Sequence, residues 1–330
     1  MRSRQVVGLA NVRIRELTTL QVGMAYVHRA PLIDRSGEFS NIDFGYCIDC
    51  LIAEYSERRN LILRVASPVD GGQNATGRIV ALKQRGFRRS KRIQTNDTFI
   101  VDLSNPLSII RKNLDCKWRN HLSKAQRSNI HVTRSEALID FDHFEPLLLD
   151  LMRAKRFTTA QDTAFFRRVQ TGAERYERMS VYLAWHNGAP VAGALTSFAG
   201  NTAVYLLGAG NPDGRALRAS YLLQWTVIEN AKALGKRFYD LGGANEHTNP
   251  GVYRFKKGLG GRFVNCPGLY DFAPGQMKKL YRLLGDTYLN AQRWISHHGR
   301  GHIPDSPIGG NDLRERRSAH PLYPIGHRDI

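Results

Sequence analysis

Residues 205–243 read "YLLGAGNPDGRALRASYLLQWTVIENAKALGKRFYDLGG". The strand pattern "TAVYLLGAG" (202–210) is rich in β-branched and aromatic residues and runs into the Gly/Pro turn "GNPDG". The stretch "RASYLLQWTVIENAKALG" then puts Tyr221, Leu222, Trp225 and Ile228 on one helical face, and Gly235 suits a C-terminal cap. "KRFYDLGG" returns to strand pattern. Strand, helix and strand in succession imply α/β layering. The turn also delivers the chain into a helix N-terminus, whose unsatisfied amides and dipole favour an anion.

The same pattern extends upstream. "MSVYLAWH" and "PVAGALTSFAG" read as strands joined by the turn dipeptide Asn187-Gly188. Before them come a strand "IHVTRS" and helices around "FEPLLLDLMRAKRF" and "AFFRRVQTGAERY". In the N-terminal third, "VVGLANVRIREL" and "QVGMAYVHRAPLI" predict strands, "FSNIDFGYCIDCLIAEYSERRN" a helix and "LILRVASP" a buried strand. "ALKQRGFRRSKRIQ" (81–94) reads as a basic solvated loop and "TFIVDLS" as a further strand. "PLSIIRKNLDCKWRNHLSKAQR" (106–127) predicts one basic amphipathic helix. Ile109, Leu114 and Trp118 would face a core, with Arg111, Lys112, Lys117, Arg119, Lys124 and Arg127 outside.

The 330 residues suit two domains, and 42% apolar content can fill two cores. The expected division is a first domain over 1–110, a second over 111–295 with a last helix from Met277 to Ile295, and a flexible tail over 296–330. Lys and Arg number 48 against 29 Asp and Glu, a formal charge of +19. That surplus favours phosphate-bearing partners: nucleic acid, anionic lipid or a phosphorylated substrate. Four cysteines make no disulfide framework, and the one C-x-x-C pair, Cys47 and Cys50, lacks a second pair to close a zinc site. All four read as small apolar residues, and no metal is expected. His297, His298 and His302 fall in the polar tail. No signal-peptide stretch and no long apolar run stand in the sequence, so a cytoplasmic protein is expected.

Four segments together resemble the FemABX family of aminoacyl-tRNA-dependent transferases. They are "MAYVHRAPLI" (24–33), "WRNHLSKAQRSNIHV" (118–132), "YDLGG" (239–243) and, most specific, "YRFKKGLGG" (253–261). Ala30 stands where the family usually has Gly. The resemblance implies an α/β (α+β) fold of two tandem GNAT-like domains, the first shortened at its N-terminus. In acyl-CoA acetyltransferases of that fold, the equivalent turn carries a Gln/Arg-x-x-Gly-x-Gly/Ala pattern that cradles pyrophosphate. Here Arg218 stands at the central glycine of that pattern. The acetyl-CoA site is therefore expected to be lost in this half.

The family's reaction joins a primary amine to the ester carbonyl of an aminoacyl-tRNA. By that resemblance Lys256 and Phe255 are the expected catalytic pair, the lysine at the oxyanion or the RNA end and the phenylalanine stacking on the terminal adenine. Arg254 and Lys257 would grip phosphate, and Gly258, Gly260 and Gly261 would let backbone pass close to a bulky ligand. Arg215, Arg218 and Tyr221 are candidates for the diphosphate of a nucleotide-linked acceptor, against a plainer reading as helix-start arginines in solvent. Tyr26 and Arg29 mark the strand end that faces the acceptor cleft in the family. Asp240 and Asn245 would position the amine or simply stabilise the turn.

The expected partners are aminoacyl-tRNA as co-substrate, with no cofactor, and a nucleotide- or lipid-linked peptidoglycan precursor or small amine. A transient contact with anionic membrane suits the charge, and a monomer is expected. The alternatives are an acyl-CoA-dependent N-acyltransferase acting on an envelope sugar or exopolysaccharide intermediate, and a non-catalytic RNA-binding module.

Overall fold

The computed structural model describes residues 6–17, 22–29, 31–33, 41–66, 74–90, 97–156, 162–266, 268–273 and 325–327. Two compact units divide the chain, one of residues 1–94 with 266–330 and one of 95–265, and each is taken by itself.

The first unit opens with β1 (Val6–Leu9) and β2 (Val12–Leu17), two strands where the sequence predicts one. β3 (Val22–His28) and the short β4 (Leu32–Ile33) follow. Helix α1 (Asn41–Leu51) runs on into a π-helical turn over Ile52–Arg58, and β5 (Ile62–Ala66) is buried along its whole length. The basic stretch expected as a loop begins as the end of α2 (Asn74–Gln84). It turns at Gly86, whose φ is +84°, and enters the two-residue strand β6 (Arg88–Arg89). Residues 91–94 of that stretch lie outside the described ones.

The second unit starts at β7 (Thr98–Asp102). The single helix expected over 106–127 is two, α3 (Leu107–Asn113) and α4 (Cys116–Gln126). Leu114 is extended, with ψ at 145°, and the Asp115 carboxylate caps α4 by accepting from the Lys117 amide at 2.9 Å. The break rotates the first apolar face, so Ile110 (3% exposed) is buried in place of Ile109 (42%). Leu114 and Trp118 are buried as expected. After β8 (His131–Ser135), α5 (Leu138–Lys155) and α6 (Thr163–Gly172) come β9 (Met179–His186) and β10 (Ala189–Ser197). Asn187 and Gly188 both have positive φ, 50° and 78°, which suits the tight hairpin that joins them.

The chain then forms β11 (Thr202–Gly210), the short α7 (Pro212–Ala216), α8 (Ala219–Ala233), β12 (Phe238–Asp240), α9 (Pro250–Lys257) and β13 (Arg262–Val264). The seven strands lie in the order β13-β7-β12-β11-β10-β9-β8. β11 and β12 are parallel neighbours with Thr202 opposite Phe238, and α8 makes the crossover, as the quoted stretch implies. Trp118, Leu122, Tyr182, Leu223, Trp225 and Tyr239 fill the core on this sheet. Because β7 pairs with both β12 and β13, the sheet takes in residues before the domain junction expected at 110/111.

The chain returns to the first unit with β14 (Leu269–Phe272) and β15 (Ile325–His327). Its sheets run β15-β1-β4 and β2-β3-β5-β14-β6, over a core of Phe44, Ile48, Leu63, Val65, Leu82 and Phe87. Arg64, 6% exposed, forks onto both oxygens of Asp271 at 2.7 and 2.8 Å, so a charge buried between strands is fully paired. The helix expected over 277–295 lies outside the described residues, as does the tail apart from 325–327.

Candidate functional site

The stretch "VYRFKKGLGG" is helical at its start. Asn249 caps α9 by accepting from the Val252 amide at 3.3 Å, and Pro250 occupies the first turn, where its missing N–H costs nothing. One turn later the cations separate. Arg254 and Lys257 are exposed, while Lys256 is 7% exposed.

The Lys256 ammonium donates to the carbonyl oxygen of Gly243 at 2.8 Å and lies 5.4 Å from the centroid of the Tyr205 ring. Asp240, at the end of β12, is held by the Thr98 hydroxyl at 2.5 Å and the Gly242 amide at 2.9 Å. Burial pushes the Lys256 amine down to about 8, and the Asp240 carboxylate opposes that fall. The group is therefore still mainly cationic at neutral pH. Among the described residues it makes one hydrogen bond, so two of its three protons are left for a ligand. Gly242 has φ +67°, and a Cβ there would stand 2.8 Å from the Tyr205 carbonyl oxygen. Only glycine fits that approach.

The glycines expected to admit a bulky ligand serve the fold instead. A Cβ on Gly258 would meet Trp118 at 2.8 Å, one on Gly260 the Asn113 carbonyl at 2.3 Å, and one on Gly261 the Ile100 backbone at 3.0 Å. Their missing side chains make room for this chain's own α3, α4 and β7.

Phe255, next to Lys256, joins a different group of side chains. Its ring lies 5.1 Å from Tyr221 and 5.9 Å from Trp118, and His121 stands 4.8 Å from Tyr221. Phe255, Tyr221 and His121 are half-buried, while Trp118 is fully inside with its indole N–H unpartnered. Arg218 borders this patch. Its backbone sits at φ 61°, ψ 29°, the left-handed conformation that glycine takes most readily. Its Nε is buried without a hydrogen-bond partner. Burial and then the Arg218 charge hold the His121 imidazole below its ordinary range, while burial raises the Tyr221 phenol against the same charge.

The structure thus brings Arg218, Tyr221 and Phe255 together and places Lys256 with Asp240. Arg215 is exposed, its guanidinium donating to the Gly210 carbonyl at 3.1 Å. Asn245 accepts from the His247 and Thr248 amides, both at 2.9 Å, which is a turn-forming role. Tyr26 and Arg29 belong to the first unit, where the Tyr26 hydroxyl is 2.8 Å from His28 Nδ1 and Arg29 has φ 50°. Tyr205, Thr98, His121 and the Gly243 carbonyl escaped the sequence reading. Tyr205 sat in view in the strand, but its contact with Lys256 carries no local signal.

A pocket of about 420 Å³ lined by Asp102, Asn105, Asn113, Phe238, Gly260 and Arg262 holds none of the expected site side chains. Among the described residues, no cluster of three His, Cys, Asp or Glu side chains is placed to hold a metal, and no helix is long and apolar enough to cross a membrane. None of the four cysteines is in a disulfide. Cys47 and Cys266 are buried, whereas Cys116 is exposed on α4 rather than serving as an apolar core residue.

In comparison with known proteins, residues 184–285 match the FemAB family. A 123-residue stretch is 31% identical to the Lipid II:glycine glycyltransferase of Staphylococcus haemolyticus (strain JCSC1435), covering 36% of this chain and 29% of the relative. The enzyme of the same description from Staphylococcus aureus (strain USA300) is 30% identical over 102 residues, covering 29% of this chain and 24% of the relative. The matches thus span under a third of these relatives' length. The crystal structure of FemX superposes with a TM-score of 0.73 at 18% identity, over 86% of this chain and 88% of that one. That likeness carries the fold, and the expected α/β architecture of tandem GNAT-like domains stands.

Proposed function

We propose that this chain, whose residues 184–285 match the FemAB family, is an aminoacyltransferase extending a peptidoglycan precursor by an amide bond. The observation that carries the reading is the buried Lys256 ammonium, fixed on the Gly243 carbonyl with two protons uncommitted, inside the segment that matches the family. The named activity of the matched relatives, glycyl transfer to lipid II, supplies the acceptor class.

The donor in this reading is an aminoacyl-tRNA. The acceptor amine attacks the ester carbonyl, a C–N bond forms, the oxygen becomes negative, and the C–O bond to the terminal ribose then breaks. The leaving ribose oxygen takes up a proton, and the amine gives one up to it or to solvent. The ester is already activated, so the protein's part is orientation, exclusion of water and a cation at the oxygen, a donor of this kind contributing about 2.7 to 4 kcal/mol. Lys256 supplies the cation. Phe255 and Tyr221 offer half-buried ring faces for a terminal base, and Arg218 offers a guanidinium to phosphate.

The acyl-CoA alternative is not favoured. Arg218 holds a left-handed backbone conformation that favours glycine, and in this reading its side chain stands where a glycine would let pyrophosphate approach. The test is transfer of a labelled amino acid from charged tRNA to lipid II or its nucleotide-linked precursor. The reading expects label in the precursor that disappears when the tRNA is digested first. Product that survives complete digestion, or forms equally from an acyl-CoA, overturns it.

A further inference from the structure

We infer that Tyr205 is a positioning residue for Lys256, its ring face holding the ammonium in place through a contact that the glycines at 208 and 242 make possible. The inference rests on the reading of Lys256 as the reacting cation, and its test does not use that activity.

Three features of the fold converge on this tyrosine. The first is the register of β10 against β11. Leu195 faces Leu207 but Thr196 faces Tyr205, so one extra residue, Leu206, interrupts the alternation and re-aims Tyr205. The second is Gly208, where a Cβ would stand 1.6 Å from the Tyr205 hydroxyl and 2.6 Å from its ring, so any side chain there displaces the phenol. The third is Gly242, whose missing side chain leaves room for the Tyr205 backbone at 2.8 Å and for Lys256 Nζ at 3.8 Å from the absent Cβ. A bulge and two side-chain-free positions thus fit one aromatic ring against one ammonium, at 5.4 Å from its centroid.

The quadrupole of an aromatic face attracts a cation at such a distance, and more strongly where water is excluded. The other groups acting on the ammonium are the Gly243 carbonyl from the loop after β12 and the Asp240 carboxylate from β12. On its own helix, Arg254 and Lys257 are exposed. Without the ring, a buried lysine keeps two of three supports and loses charge more readily. Burial keeps the Tyr205 phenol protonated, with its own pKa up at about 12, so the ring stays neutral through the working range.

The test is direct titration of Lys256 by NMR of its Cε and Nζ nuclei in the ligand-free full chain, with the assignment made by Lys256→Met. Tyr205→Phe keeps the ring and should leave the midpoint near 8. Tyr205→Leu should move it down by about one unit, the size of one desolvated cation–π contact. Gly208→Ala, which pushes the ring aside without removing it, should lower the midpoint in the same direction and carries the test where Tyr205→Leu does not fold. An unmoved midpoint in both Tyr205→Leu and Gly208→Ala, or an equal shift in Tyr205→Phe, overturns the inference. Full transfer by Lys256→Met would instead remove the functional reading and leave the titration result standing.

Discussion

The Lys256 ammonium lies 2.8 Å from the carbonyl oxygen of Gly243, so a helix of eight residues is tied to the backbone just beyond β12 by a single buried charge. The bond fixes where the cation stands relative to the strand end, and leaves it protons to offer. Substitution of Lys256 by Met keeps the apolar stem and removes the charge. The expected result is a 10²- to 10³-fold fall in transfer rate, the loss typical of one oxyanion donor, with tRNA affinity within about threefold of the parent. A large loss of tRNA affinity at unchanged turnover would make Lys256 a binding residue only.

The pH response follows from the depressed amine. Lys256 is charged below its folded midpoint of about 8 and loses its proton above it, so transfer should fall on the alkaline side through that value. Lys256→Arg, whose guanidinium does not titrate there, should lack this limb in whatever activity it retains. Stability moves oppositely. Between about 8 and the ordinary lysine value of 10.5 the unfolded chain binds more protons than the folded one, so the Lys256 contribution to stability rises with pH across that window. The denaturant midpoint of the parent should therefore rise relative to that of Lys256→Met as pH climbs from 8 to 10.5. Parallel curves would contradict the assignment.

Arg218 occupies a left-handed backbone position, which costs a residue with a Cβ about 1 to 2 kcal/mol. Arg218→Gly should therefore be about 1 kcal/mol more stable than Arg218→Ala by chemical denaturation. Both should raise KM for a phosphate-bearing acceptor by a similar factor, because both remove the guanidinium. Equal stability of the two variants would show that the strain is absent. Unchanged KM in both would remove Arg218 from acceptor binding.

Phe255 presents a half-buried ring beside Tyr221, 5.1 Å away. Loss of one base-stacking face costs about 1 to 3 kcal/mol, so Phe255→Ala should weaken binding of an RNA ending in an unpaired adenine by about 5- to 150-fold. Binding to a blunt duplex of equal charge should change little, and fluorescence anisotropy with both RNAs separates the two.

Much of the second unit was legible in its sequence. The strand, turn, helix and strand of residues 202–243 formed in order, because periodicity and turn residues are local signals. The helix break at Leu114 and Asp115 was not read, although Asp115 is a good cap. A continuous basic and apolar pattern across 106–127 masked it. The segment holding Lys256 was singled out from residue types and family likeness, but its burial was not evident beside two other cations on the same short stretch. Tertiary packing alone sorts the three. The roles of the glycines at 258, 260 and 261 were likewise invisible, since what each one accommodates comes from α3, α4 and β7, more than a hundred positions away for each. Tyr205 belongs to the same class, as its re-aiming depends on a one-residue bulge set by pairing with β10.

The most direct measurement is single-turnover transfer from charged tRNA to a peptidoglycan precursor, run side by side with the parent chain and Lys256→Met at saturating RNA. The account predicts rapid amide formation by the parent and a rate at least 10²-fold lower in the variant, with the RNA still bound. Equal rates in the two proteins would contradict it.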